Sequence, residues 1–66
     1  MYLGAKEGQV VYYQREHWLP REEAVLVRYY RDRPDLVMPN CAILDFNGVG
    51  IHVSVQRVFR KDKVQP

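Results

Sequence analysis

A chain of 66 residues makes one small domain, near the lower size at which a protein folds without disulfides or a structural metal. One cysteine excludes an internal disulfide and every multi-cysteine zinc set, and no apolar run approaches the length of a membrane span. A net charge of +2, with 47% hydrophobic and 27% charged residues, is ordinary for a soluble protein and mild for a dedicated nucleic-acid binder.

Residues 1–8 read as a lead-in broken by Gly4 and Gly8, and they lack the basic and apolar regions of a secretory signal, so a cytoplasmic setting is expected. Gln9 to Tyr13, QVVYY, is short and rich in β-formers and is predicted as the first strand. QREHWLPREE follows as a polar surface loop carrying Trp18 and Pro20. Ala24 to Tyr30, AVLVRYY, is read as the second strand, with Val25, Val27 and Tyr29 on one face and Ala24, Leu26, Arg28 and Tyr30 on the other. A helix stays open there, because Pro20 ahead of Glu22 and Glu23 is a helix-start pattern. Against it, Leu19 is a poor N-cap and the segment is crowded with β-branched and aromatic residues.

Arg31 to Pro39 is a charged loop holding Pro34 and Pro39. The strongest local signal comes next, in CAILDFNGVGIHVSV. Asn47-Gly48 suits a two-residue type I′ turn, which needs φ > 0 at both central positions. Phe46 would then face Val49, Leu44 face Ile51 and Ala42 face Val53, all apolar, with Cys41, Ile43, Asp45, His52 and Ser54 on the other side. A four-residue loop, 47–50, keeps the apolar face by pairing Phe46 with Ile51 and Leu44 with Val53. Gln56 to Phe59 allows one 3₁₀ turn, and the basic tail, which runs from Arg57 to Pro66 and includes the end segment 61–66, allows a last short strand. The sum is an all-β fold: a small SH3-like barrel or a strongly bent antiparallel sheet of about five short strands. Its core should draw on Val11, Val25, Val27, Ala42, Leu44, Phe46, Ile51, Val53 and Val58.

The order strand, long loop, strand, loop, tight hairpin, 3₁₀ turn and final strand resembles SH3-like small barrels. More narrowly, GQVVYY, EAVLVRYY and CAILDFNGVGIHVSVQRV resemble short phage and prophage proteins with a Gly-x-Val-Val-x-Tyr strand, an Ala-x-Val-Val strand and an Asp/Asn-Gly hairpin leading to Ser-Val. The likeness spans about residues 8–60. It implies a phage or prophage origin, as a virion component or a host-directed accessory protein. The charged RDRPDLVMP insertion and the end at Pro66 without an aromatic tail depart from that pattern.

Two groups of residues could form a contact surface. Tyr12, Tyr13, Trp18, Tyr29 and Tyr30 could build an aromatic groove for a peptide, base or ring-shaped ligand, while the plain reading of Trp18 is a cap over one end of the core. Arg28, Arg31 and Arg33, interleaved with Tyr29 and Tyr30, suit phosphate, as do Arg57, Arg60, Lys61 and Lys63 of the tail. Asp32 and Asp35 offset the first set, so a solvated loop with internal Arg–Asp pairs is its plain reading. Cys41, His52 and Asp45 share a hairpin face but lack zinc-site spacing, and no metal or cofactor is expected. With one serine and no threonine, an acyl-transfer triad would need Ser54, His52 or His17, and Asp45, with no oxyanion-hole loop beside them. Glu22 and Glu23 are adjacent and diverge, and no Gly-rich phosphate loop exists.

These residues point to a non-catalytic interaction module that binds a protein partner or self-assembles. A nucleic-acid binder using the Arg/Tyr loop and the basic tail is the alternative, and an oligomer with a ligand site at subunit junctions is a third reading. No membrane partner is expected.

Overall fold

The computed structural model describes residues 4–61. It holds five strands, β1 (Val10–Tyr13), β2 (Glu22–Tyr30), β3 (Cys41–Phe46), β4 (Val49–Ser54) and β5 (Val58–Arg60), with one 3₁₀ turn at Val55–Arg57. All pair antiparallel in a single sheet ordered β4-β3-β2-β1-β5. The segment from Ala24 is strand and reaches back to Glu22, so no helix follows Pro20. The β-branched and aromatic content there outweighs the helix-start pattern. The last strand is Val58–Arg60, within the basic tail. Beyond that strand, only Lys61 of the tail lies among the described residues.

The hairpin takes the two-residue form. Asn47 and Gly48 have φ of +56° and +85°, and Phe46↔Val49, Leu44↔Ile51 and Ala42↔Val53 are the apolar pairs. The Asp45 carboxylate accepts the Gly48 N–H at 2.8 Å and ties the turn to its own strand.

The inner face gathers Val11, Ala24, Leu26, Ala42, Leu44, Val53, Val55 and Val58, together with Ala5 from the lead-in. Phe46, Ile51, Tyr13 and Tyr29 pack half-buried against them. Val25 and Val27, expected in the core, are instead exposed at 37% and 44%, and Ala24 and Leu26 take their place. The cause is a change of parity. Leu26 lies opposite Leu44 but Arg28 lies opposite Ile43, so Val27 is an extra residue in β2. Beyond that bulge Tyr29 lies opposite Ala42 and joins the inner face, leaving Tyr30 on the outer one.

The sheet is bent hard enough to enclose its own core. In a flat five-stranded sheet the outermost strands would stand about 19 Å apart, four spacings of about 4.8 Å. Here β4 and β5, at opposite edges, are joined by three residues of 3₁₀ turn, which rise only about 2 Å each. The edges must therefore approach each other on that side. Tyr13 of β1 and Phe46 of β3, on non-adjacent strands, meet edge to face at 6.3 Å between centroids. The turn is held by Ser54, whose hydroxyl accepts the Gln56 N–H at 3.2 Å, and by Val55 N–H donating to the Asn40 carbonyl at 3.0 Å. The other end is tied by the Tyr29 hydroxyl, donating to the Ala5 carbonyl at 2.7 Å. The edges nonetheless do not hydrogen-bond, so the sheet stays open rather than closing as a barrel.

Candidate functional site: the open seam beside β4

Where the sheet fails to close, a groove of about 400 Å³ runs between the inner side of β4 and the end of β1. Phe46, Val49, Ile51 and Val53, with His52, form one wall, and Tyr13 and Arg15 the other. Val49 is 60% exposed, a large apolar side chain held at the rim. The loop after β1 is shaped by Gln14, whose amide donates to the Leu19 carbonyl at 2.8 Å and the His17 carbonyl at 3.3 Å. Its backbone N–H donates to the Arg57 carbonyl at 2.9 Å, and the Arg57 guanidinium returns a bond to the Arg15 carbonyl at 2.6 Å. Arg57 also faces Glu16 at 3.6 Å. The backbone at Arg15 is therefore pinned from below. Its side chain is exposed and makes no hydrogen bond or ion pair among the described residues.

The groove runs along an unpaired strand edge. In a two-residue hairpin the residues flanking the turn form the first hydrogen-bonded pair, and such pairs then alternate. Val49, Ile51 and Val53 thus point their backbone groups at β3, while Gly50, His52 and Ser54 point theirs outward. Sheet edges are commonly blocked by a charge, a proline or a bulge, and β4, VGIHVS, has none of these. The opposite edge, β5, is three residues long and ends in Arg60, with Lys61 next in the chain.

The aromatic residues singled out from sequence do not converge. Tyr13 and Tyr29 belong to the inner face, Tyr13 alone lining the groove. Tyr12 lies opposite Phe59 on the outer face, with the Lys61 ammonium 6.0 Å from its ring. Tyr30 packs on His52 across the outer face, hydroxyl to Nδ1 at 3.1 Å. Loss of solvent contact and then the neighbouring Cys41 raise its phenol above the ordinary tyrosine value. Trp18 does not cap the core: it is 69% exposed and stacked edge-on with His17 at 4.8 Å. The residues on either side of Trp18 are tied instead to Gln14, through the His17 and Leu19 carbonyls.

The cations are likewise dispersed and mostly engaged. Arg28 lies 5.9 Å from the Tyr30 ring, Arg31 donates to the Leu36 carbonyl at 2.8 Å, and Arg33 pairs with Asp35 at 3.8 Å. On the other flank Arg57 meets Glu16, Arg60 sits on β5 beside Gly4, and Lys61 contacts Glu23 at 2.7 Å. That contact raises the Lys61 ammonium above its ordinary value. Lys63 lies outside the described residues. Asp45 is occupied by the turn, and among the described residues no three His, Cys, Asp or Glu side chains gather to hold a metal. Among them, too, no helix is long and apolar enough to cross a membrane.

Sequence reasoning missed Arg15 and Val49 as site residues, because nothing local marks them. Arg15 is one charge in a polar loop, and its place beside the groove follows only from the curl of the sheet. Protein-family models, curated proteins and solved structures were all compared with the chain, and none matches.

Proposed function

We propose that this protein is a non-catalytic interaction module that receives an extended segment of a protein partner along β4. The observation that carries the reading is the coincidence of an unblocked six-residue strand edge with an apolar groove along the same strand. An added strand would satisfy the outward backbone groups of Gly50, His52 and Ser54, and every second side chain would drop into the groove. Backbone pairing supplies affinity in such a mode and the groove supplies selectivity. The GQVVYY strand and the Asn-Gly hairpin leading to Ser-Val support, as part of this proposal, a small binding module of phage or prophage origin. The engagement of Arg31, Arg33, Arg57 and Lys61 by the chain's own groups favours a protein partner over a nucleic acid.

A displayed random-peptide library selected on the immobilised protein tests this. Enriched peptides should slow hydrogen exchange at the amides of Gly50, His52 and Ser54. The substitution His52→Pro removes an outward N–H, which an edge strand tolerates, and should abolish peptide binding while the melting transition persists. Binders that leave those amides exchanging freely, or a library that yields no binder, would overturn the reading.

A further inference from the structure

The groove carries one ionic feature, and it specifies the chemistry of its occupant. Of the side chains that line it, His52 among them, Arg15 is the one arginine, lysine or carboxylate. That guanidinium stands at the margin of an apolar trench with no acid or carbonyl engaging it among the described residues. The neighbouring cations differ. Arg57 has Glu16, Lys61 has Glu23 and Arg33 has Asp35. Arg21 lies over the Phe59 ring at 3.9 Å. The anchoring of the Arg15 carbonyl by Arg57 at 2.6 Å fixes where the free guanidinium starts.

Resting on the β4 reading above, we propose that the occupant is an extended acidic–apolar segment of another protein. It pairs with β4, sets an aliphatic or aromatic side chain against Phe46, Ile51 and Val53, and places an Asp or Glu carboxylate on Arg15. A guanidinium offers a planar fork of donors to a carboxylate, and the apolar walls on one side reduce competing solvent. Charge complementarity also decides between a foreign segment and a second copy of this chain. Two β4 edges could pair about a two-fold axis at His52, but β4 contains no carboxylate to answer Arg15. A second copy would bring a second uncompensated arginine to an assembly of chains that each carry +2.

The experiment is the same library selection, read for composition and repeated with Arg15→Glu and Arg15→Lys. Peptides enriched on the native protein should alternate apolar residues and carry an acid at one fixed position. Replacing that acid by its amide should weaken binding about 1.5-fold to fivefold, the range of an exposed ion pair. Arg15→Glu should weaken it further and re-select peptides with Lys or Arg at that position. Arg15→Lys should retain the preference for an acid with reduced affinity. Groove-bound peptides without an acidic preference, or affinities indifferent to Arg15→Glu, overturn the assignment of chemistry while leaving the β4 reading intact. Peptides bound elsewhere overturn both. A concentration-dependent dimer in sedimentation, with Gly50, His52 and Ser54 protected and no peptide bound, would assign the edge to a second copy instead.

Discussion

The β3–β4 hairpin and strand β2 are made of similar residues, yet they obey different rules. Along the hairpin, alternation runs unbroken from Cys41 to Ser54, and every apolar residue of one parity faces inward. Along β2 the inward positions are Ala24, Leu26 and then Tyr29, because Val27 interrupts the ladder. The hairpin has a turn whose geometry fixes its register before any tertiary contact forms. β2 has none, and its register is decided by two neighbours at once. The bulge lets one strand bury Leu26 opposite Leu44 and also send the Tyr29 hydroxyl to Ala5 at the far end. It also adds local twist, which a sheet that must curl over its own core requires.

The sharpest way to break this comparison is to truncate the two adjacent residues of β2. Leu26 is wholly buried, and Leu26→Ala should cost about 2–5 kcal/mol. A domain of this size holds on the order of 3–10 kcal/mol in all, so the loss would appear as a steep fall in denaturation midpoint or as absence of a folded transition. Val27→Ala should cost less than about 1 kcal/mol, the range of exposed sites. An uninterrupted strand with Val25, Val27 and Tyr29 inward would reverse that order. Urea melts of the two variants therefore decide which parity of β2 faces the core at Leu26 and Val27.

The turn supplies the next largest effect. Gly48 sits at φ +85° with open space around its Cβ position, so Gly48→Ala meets backbone strain alone and should cost about 1–2 kcal/mol. Gly50, two residues on, has no positive φ, and a Cβ there would stand 3.9 Å from Ile43, an ordinary contact. Gly50→Ala should be nearly neutral or slightly stabilising. Equal destabilisation by the two would argue for the four-residue loop that the sequence also allows.

How much was legible follows from the same contrast. Asn47-Gly48 with alternating flanks gave the inward face and the all-β class, because each is a local consequence of turn chemistry and a period of two, while the choice between two-residue and four-residue loop needed the structure. The parity of β2 was not legible, since an inserted residue leaves no mark in AVLVRYY: both parities are apolar. Ala5 was hidden for a related reason. A single alanine between two glycines and a lysine becomes core only because Gly8 and Gln9 bond to Leu26 and Tyr29 reaches its carbonyl. The groove was less legible still. It exists because the edges approach without pairing, and that depends on the summed twist of five strands rather than on any segment.

The smallest effect probes the outer face that the bulge creates. Without an inserted residue Tyr30 would share the side of Leu26; with it, Tyr30 meets His52 of β4. The fold raises the Tyr30 phenol, through lost solvent contact first and the nearby Cys41 second, so the folded chain holds that proton more firmly than the unfolded one. Stability from this group is then fully present below the unfolded value of about 10 and is lost as pH rises through the higher folded value. Lys61, raised by its hydrogen bond to Glu23, acts in the same direction over the same window. Melting temperature should therefore fall as pH climbs beyond about 10, and Tyr30→Phe should make that fall shallower without altering it near neutrality. Absorbance of tyrosinate, followed in native and Tyr30→Phe proteins, should show the missing component titrating later than the free phenol. A Tyr30 component at or below the ordinary value would remove the loss of solvent contact and the Cys41 neighbour that the outer face gives it.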